Sequence, residues 1–418
     1  MNIDGKSVQP RGARWLCLRF LATLVASVCA LNGCGSLDSY SSTKAQQKVL
    51  TRALNRGYDP VERHSALASN EPWALSLGAE TLQMALLAPA DGTAHPLVIY
   101  LPGLGEPVTA GHLWREAWAR AGQVVLSLQP ASLAEALKRP ELRAFEANAI
   151  AHGAFAESAL MDRSRQVALA LAAVRQRASA GDPILSRVDF DRISLIGFDL
   201  GAQTVIALAG ELGTGKVPLA EPIAGLRSAI ALSPFVNIAR GGLAERFTAI
   251  KLPVLEITGT DDNDAFGLVH GASARRALWQ GLPPGDKYLL LTNGGNHALL
   301  SGNDLVNPPR PPWALRDLAA EALQEIEERN AGANRGDNGN SRSRGGGPSF
   351  ESVATPTGNR SISANAPGKA FDGRHLAAII AVSCAFLDTT LRSDPIAREW
   401  LTRDAQRWLD DAAQLQSR

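Results

Sequence analysis

The sequence predicts an α/β fold in which helices cover both faces of a mostly parallel central sheet. Several short, uniformly apolar runs are typical of strands that are buried on both faces. Amphipathic helical segments separate these runs, and crossover helices of this kind join parallel strands. The chain has 418 residues, of which 45% are hydrophobic, so it is long enough to bury a sizeable core.

The composition excludes several classes of protein. The chain carries 42 Lys and Arg against 41 Asp and Glu, so its net charge of +1 offers no basic field for nucleic acid. Four cysteines in a chain of this length do not form a disulfide framework. No stretch reaches the roughly 20 apolar residues that a membrane-spanning helix needs. The sequence therefore predicts no nucleic-acid partner and no membrane span.

Residues 1–33 have the pattern of a secretory signal peptide. The basic flank Arg11–Arg19 precedes the short apolar run Phe20–Leu31. The sequence Leu31-Asn32-Gly33-Cys34 resembles a bacterial lipoprotein signal, which implies cleavage before Cys34 and attachment of lipid to it. Ordinary cleavage after Ala30 is the alternative. The resemblance implies a periplasmic protein that is anchored to the outer membrane, because Gly35, and not Asp, follows the cysteine.

The sequence predicts that the mature chain consists of a tether at 34–70 and one α/β domain at 71–329. Strands are predicted near Trp73–Leu77 and Thr81–Leu87, and then at six apolar runs: Leu97–Leu101, Val124–Leu128, Ile193–Ile196, Ala229–Leu232, Val254–Thr258 and Tyr288–Leu291. Helices are predicted at His112–Ala121, at Met161–Arg177 and after Gly201. Helices alternate with the later strands, which is the order that a doubly wound fold requires.

Residues 330–369 form a predicted disordered insertion. They are rich in Asn, Gly, Ser and Arg, and they contain few large apolar side chains that could offset the entropy of ordering. Apolar periodicity returns at Arg374–Leu391, and Asp394-Pro395 is a typical start for a further helix. Residues 370–418 are therefore predicted to be C-terminal helices of the same domain.

The strongest local motif lies at residues 193–202. An apolar strand leads into Gly197-Phe198-Asp199-Leu200-Gly201, and an apolar helix follows. A sharp turn from strand to helix strains its central residue, and glycines on both sides avoid clashes across the turn. This turn is predicted to present Asp199 above the sheet at the N-terminus of a helix, where backbone N–H groups stabilise negative charge.

With this motif, the chain resembles the α/β-hydrolase superfamily, and within it the platelet-activating-factor acetylhydrolase and predicted dienelactone hydrolase branch. Four segments carry the resemblance: Ile99–Gly105, the turn around Asp199, Leu255–Asp262 and Gly294–Ala298. The resemblance implies a hydrolase that acts on a small or lipid-like ester or lactone.

The resemblance also implies roles for individual residues. Asp199 stands at the position of the nucleophile, and His297 stands at that of the base. Asp262 would orient the histidine, with Asp261 and Asp264 as alternatives. The backbone N–H groups of Leu104 and Leu200 would form the oxyanion hole. The order nucleophile, acid, base along the chain is the usual one for this fold.

The sequence departs from this branch at the nucleophile, where relatives have serine. A carboxylate is better suited to attack saturated carbon, as in haloalkane dehalogenases and epoxide hydrolases, since attack on an ester carbonyl would give an anhydride. Those enzymes usually have Trp where this chain has Leu200, and they carry a larger cap than Ser233–Lys251 can form. An inactive binding protein with the same fold is the other alternative.

No spacing of His, Cys and Asp resembles a metal site, so the sequence predicts neither a metal nor a cofactor. His64 and His95 show no relation to each other in the sequence. The segment Leu133–Ser158 is either a small lid over the site or a surface excursion, and the sequence leaves both possibilities open.

Overall fold

The computed structural model describes residues 44–264, 266–269, 271–303 and 372–418. The predicted signal peptide, the lipidation site Cys34 and the insertion at 330–369 lie outside the described residues. Nine strands belong to one sheet: β1 Leu67–Leu77, β2 Glu80–Pro89, β3 His95–Leu101, β4 Val124–Pro130, β5 Val188–Phe198, β6 Leu226–Leu232, β7 Val254–Asp261, β8 Lys287–Asn296 and β9 Ala413–Ser417.

Helices alternate with these strands in the described part of the chain. They are α1 at 44–54, α2 His112–Arg120, α3 Ala131–Glu135, α4 Ala144–Ala154, α5 Glu157–Ser179, α6 Leu200–Leu208, α7 Leu243–Phe247, α8 Ala277–Gly281, α9 His297–Leu300, α10 Gly373–Leu391, α11 Pro395–Glu399 and α12 Ala405–Leu409. As predicted, Asp394 caps α11, because its side chain accepts a hydrogen bond from the Ala397 N–H and Pro395 opens the helix.

The strand order is β1-β2-β4-β3-β5-β6-β7-β8-β9. Strands β3 to β8 pair in parallel, and they contain all six of the predicted apolar runs. The outer strands β1, β2 and β9 pair in antiparallel fashion. The molecule is therefore an α/β protein with a mostly parallel mixed sheet, as the sequence predicts, and its sheet is consistent with a hydrolase-like fold. The edge strand β9 was not predicted.

Alternate residues of the central strands face two separate apolar cores. Val98 and Tyr100 of β3 belong to one core, with α2 and α10, whereas Leu97 and Ile99 belong to the other, with α5 and α6. This alternation is the consequence of the two-residue period of a strand with both faces covered. The apolar helix α10 has the length and hydropathy of a membrane span, but most of it is buried in the first core.

The predicted tether at 34–70 contains regular structure in its described part. Residues 44–54 are helical, and β1 begins at Leu67. The side chains of Leu50 and Tyr58 are buried against the core, and the Tyr58 hydroxyl donates a hydrogen bond of 2.8 Å to Asp388 of α10. Contacts with a helix more than 300 residues away give this polar segment its structure, and no local sequence pattern could reveal them.

Candidate active site

Asp199 lies in a strained turn between β5 and α6. Its backbone has φ 50° and ψ −108°, a conformation that residues other than glycine rarely adopt. The carboxyl end of β5 lies between β3 and β6 in the middle of the sheet. The side chain is only 2% exposed, so the carboxylate lies in a site largely shielded from water.

Close backbone packing explains the glycines of the turn. A Cβ atom at Gly201 would lie 1.9 Å from the carbonyl oxygen of Leu101, and one at Gly197 would lie 2.3 Å from the carbonyl carbon of Gly201. Neither backbone atom can move without displacing β3 or α6. The two glycines therefore allow α6 to start directly above β3 and β5, which fixes the position of Asp199.

His297 and Asp262 form a hydrogen-bonded pair at the ends of the two neighbouring strands. The Nδ1 atom of His297 lies 2.9 Å from Oδ1 of Asp262. The other carboxylate oxygen of Asp262 accepts a hydrogen bond of 2.7 Å from the Thr258 hydroxyl. Ser233 adds a third contact, because its hydroxyl lies 2.8 Å from Asp262 and 2.9 Å from Nδ1 of His297. These contacts hold the imidazole by one nitrogen.

The close approach of β7 and β8 near their carboxyl ends depends on another glycine. A Cβ atom at Gly259 would lie 2.0 Å from the carbonyl oxygen of Gly295, so the two strand backbones leave no room for a side chain there. Asp261 pairs with Asn296 at the end of this strand pair. Asp262 follows Asp261 and His297 follows Asn296, so this pairing brings Asp262 and His297 side by side.

Asp262 is the one of the three candidate aspartates that contacts His297. Asp261 is exposed, and its side chain accepts a hydrogen bond from Thr260. Asp264 accepts hydrogen bonds from the backbone N–H groups of Leu268 and Val269.

Arg275 lies at the centre of the acidic groups, and sequence reasoning did not identify it. Its guanidinium is fully buried, and its nitrogens lie 3.4 Å from Asp199, 3.9 Å from Asp262 and 3.4 Å from Asp264. It also donates a hydrogen bond of 3.1 Å to the carbonyl oxygen of Ser233. One cation therefore links three buried carboxylates. In the sequence, Arg275 and Arg276 are two adjacent arginines after β7, a pattern that does not indicate this role.

The pKa values of the pair His297 and Asp262 move apart. Burial alone would raise the pKa of Asp262, but the hydrogen bond and charge of His297, together with Arg275, lower it below its usual value. Burial alone would lower the pKa of His297, but the hydrogen bond and charge of Asp262, with a contribution from Asp199, raise it. The pair is therefore an ionised carboxylate that supports a proton on the imidazole.

Asp199 has a raised pKa, chiefly because burial penalises its charged form. The charges of His297 and Arg275 oppose this effect and favour the carboxylate. Among the described residues, Arg275 is the hydrogen-bond partner of Asp199, and it contacts only Oδ1. The Oδ2 atom has no described partner, so one oxygen of the carboxylate remains available for a reaction.

The predicted oxyanion-hole residues flank the strained turn. Leu200 is the first residue of α6, and Leu104 lies in the loop after β3. In the described part of the chain, neither backbone N–H has a hydrogen-bond acceptor, although both residues are buried. Unpaired N–H groups are unusual in a protein interior, so these two donors are available to an acceptor that the described residues do not supply.

Glu106 is a further ionisable group of this site. It accepts hydrogen bonds from the Gly103 N–H at 2.8 Å and from the Asn303 side chain at 2.7 Å. Burial raises its pKa to about 7, with Asp199 contributing and His297 opposing. The hydrogen bond with Gly103 ties Glu106 to the loop that contains Leu104.

The segment Leu133–Ser158 covers the site. Leu137, Leu142 and Phe155 pack in an apolar cluster with Leu104, Leu200 and Phe266. The side chain of Asn148 in α4 donates a hydrogen bond of 2.6 Å to the carbonyl oxygen of Phe266. Of the two possibilities that the sequence left open, the structure therefore shows a cover over the loops of the site.

A scan against models of known protein families finds no match, and a search of curated proteins finds none. Any family assignment for this chain therefore rests on its fold and on the geometry of this site.

Proposed function

We propose that this protein is a hydrolase in which Asp199 is the nucleophile and His297, oriented by Asp262, is the base. The single observation that carries the proposal is the geometry at the sheet edge. A strained carboxylate with one free oxygen lies among the loops that hold a hydrogen-bonded His–Asp pair. A binding protein would have no need for a strained carboxylate in such surroundings.

The chemistry of a carboxylate selects the substrate class. We propose a small or lipid-like lactone, or an ester with a good leaving group, that reacts at the saturated carbon bonded to oxygen. Oδ2 of Asp199 would form a bond to this carbon, the carbon–oxygen bond would break, and the substrate's carboxylate would leave. The product of this step is an ordinary ester of Asp199. Epoxides and alkyl halides react in the same way, so they belong to the class that we would test.

Hydrolysis of this ester would use the rest of the site. His297, neutral at this stage, would accept a proton from water, and the hydroxide would attack Cγ of Asp199. The N–H groups of Leu104 and Leu200 would stabilise the oxyanion of the tetrahedral intermediate. Its collapse would break the bond between Cγ and Oδ2, so that Oδ2 leaves as the oxygen of the alcohol, and His297 would return its proton to this alcohol. Asp199 would then be a carboxylate again.

We also propose that the chain is a divergent member of the α/β-hydrolase superfamily, closest to the platelet-activating-factor acetylhydrolase and dienelactone hydrolase branch. The order Asp199, Asp262, His297 and the mostly parallel sheet support this assignment. The apolar cover around Phe155 and Phe266 fits a substrate with an apolar body. An anchor at Cys34 in the outer membrane remains part of the proposal. Incorporation of a labelled fatty acid that is lost in Cys34→Ser would test it.

The experiment that tests the function is to trap the covalent intermediate. His297→Gln should block the second step, so incubation with strained lactones, activated esters, epoxides and haloalkanes should give a stable increase in the intact mass of the protein. Peptide mapping should place the adduct on Asp199. The matched control is His112→Gln, which changes an exposed histidine of α2 and should turn over like the wild type. An adduct on another residue, or no adduct with any of these compounds, would overturn the proposal.

A further inference from the structure

A second group of ionisable side chains lies at the other end of the parallel strands, where their amino ends meet. It consists of Glu62, His64, Asp91 and His95, which we call the amino-end cluster. His95 is the first residue of β3, whereas the loop with Leu104 follows the last residue of that strand. A strand of seven residues spans roughly 20 Å, so the amino-end cluster is remote from Asp199. The expectation that His64 and His95 are unrelated is wrong, because their ring centroids lie 5.3 Å apart.

Three side chains of this cluster converge on one point. Glu62, His64 and His95 can each bring one ligand atom within 4.8 Å of the others. The Oε2 atom of Glu62 lies 3.0 Å from Nε2 of His64 and 3.4 Å from Nδ1 of His95. Ligand atoms bound tetrahedrally at about 2.0–2.1 Å from a zinc ion are separated by distances of this size.

The buried histidine supplies an independent observation. His95 is only 2% exposed, and its Nδ1 atom has no hydrogen-bond partner among the described residues. This nitrogen faces the Glu62 carboxylate. A buried nitrogen without a partner is unfavourable unless a proton or a cation lies between it and the facing oxygen.

Asp91 acts on the other nitrogen of both rings. Its Oδ1 atom lies 2.8 Å from Nε2 of His95, and its Oδ2 atom lies 3.5 Å from Nδ1 of His64. A carboxylate that accepts a hydrogen bond from Nε2 of His95 and faces Nδ1 of His64 leaves the inner nitrogens of the two rings free to bind a metal. This is the usual second shell of histidine ligands.

From this arrangement, we infer that the amino-end cluster is a binding site for a divalent transition metal, with zinc as the best match. Nε2 of His64, Nδ1 of His95 and Oε2 of Glu62 are the three protein ligands, and water completes the coordination at the partly exposed side. Two imidazoles and one carboxylate favour zinc over magnesium or calcium, which prefer oxygen ligands.

The site would join segments that are distant in the sequence. Glu62 also forms an ion pair of 2.5 Å with Arg392, which follows α10. The His64 backbone N–H donates a hydrogen bond of 2.8 Å to the carbonyl oxygen of Arg120 in α2. A metal ion would therefore tie the segment before β1 to the start of β3, in surroundings that α2 and the residue after α10 already hold in place. Its role would be structural.

Titration of the untagged, chelator-treated full chain with zinc chloride in a calorimeter tests this inference. We expect a stoichiometry of about one zinc ion per chain, and His64→Ala should abolish this binding. Asp91→Asn should retain the three ligands but reduce the affinity by roughly 10–100-fold, since it removes the carboxylate that orients both rings. His152→Ala, which removes an exposed histidine of α4, is the matched control and should bind like the wild type.

Cobalt(II) gives a second readout that needs no variant. The wild-type chain loaded with cobalt should show the visible absorption of a four-coordinate ion with nitrogen and oxygen ligands, and zinc should displace it. No zinc binding, a six-coordinate cobalt spectrum, or binding that persists in folded His64→Ala would overturn the inference. Turnover of the substrates proposed above should be independent of the added zinc, so the two proposals can fail separately.

Discussion

The carboxyl ends and the amino ends of the parallel strands carry ionisable clusters that are built differently. At the carboxyl ends of the parallel strands, Asp199, Asp262 and His297 each follow a strand directly, and the sheet order brings them together. At the amino ends, Glu62 and His64 precede the first strand, and only tertiary packing places them beside His95. The first cluster includes a strained residue and a buried cation, whereas the second surrounds a nitrogen that has no hydrogen-bond partner among the described residues. This difference is the basis of the two proposals, a reaction at the carboxyl ends of the strands and a structural metal site at their amino ends.

Replacing one arginine in each cluster should give the largest difference in the free energy of unfolding between the two ends of the strands. Arg275→Met removes the one buried cation that links Asp199, Asp262 and Asp264, and it leaves uncompensated charge in the interior. We expect a loss of about 3–5 kcal/mol in the free energy of unfolding, measured by urea denaturation. Arg392→Met at the amino ends should lose less, because its partner Glu62 is partly exposed to water and its buried partner Asp388 keeps hydrogen bonds from Tyr58 and from the Val61 N–H. Equal losses of unfolding free energy in the two variants would contradict the claim that the two clusters are built differently.

A smaller loss is expected from filling the close approach under the strained turn. In Gly201→Ala, the new methyl group meets the carbonyl oxygen of Leu101, so we expect a loss of at least about 1–3 kcal/mol. Gly153→Ala in α4 is the control, since its Cβ meets nothing within 4 Å and alanine favours a helix. This variant should keep or slightly increase the free energy of unfolding. If Gly201→Ala were equally harmless, the close contact between α6 and Leu101 would not be what fixes the position of Asp199.

Most of the central sheet could be predicted from the sequence, because strands buried on both faces leave continuous apolar runs. The position of Asp199 could be predicted because its flanking glycines and the strand before it are local. The contacts of Arg275 with three carboxylates could not be predicted, because they depend on how separate loops pack around its buried guanidinium. The same holds for the helix at 44–54, which is stabilised by contacts with the distant part of the chain, and for the amino-end cluster.

The pH dependence of turnover should report the pair His297 and Asp262. The second step requires neutral His297, so its rate should rise with pH through the pKa of this histidine, which lies above the usual 6.5. Asp262→Asn removes the hydrogen bond and the charge that raise this pKa, so the rise should move to lower pH. The maximal rate should also fall by roughly 10²–10⁴-fold. Asp261→Asn, one residue earlier and exposed, should leave the profile unchanged. A shift to higher pH in Asp262→Asn would contradict this assignment.

The smallest effect is expected when the amino-end cluster is changed and turnover is measured. Because this cluster is roughly 20 Å from Asp199, His64→Ala should leave kcat within about twofold of the wild-type value at a temperature where both are folded. In the presence of zinc, the melting temperature of the wild type should rise and that of His64→Ala should not. A large loss of kcat without loss of stability would mean that the two edges are coupled.

A single turnover in ¹⁸O-labelled water tests the central claim most directly. With enzyme in excess over substrate, water attacks Cγ of Asp199, so we expect ¹⁸O in the tryptic peptide 193–216, which contains Asp199. The alcohol product of this first turnover should be unlabelled at the new oxygen. Peptide 252–275, which contains Asp261, Asp262 and Asp264, should carry no label. Label in the product and none in peptide 193–216 would show that Asp199 forms no covalent intermediate.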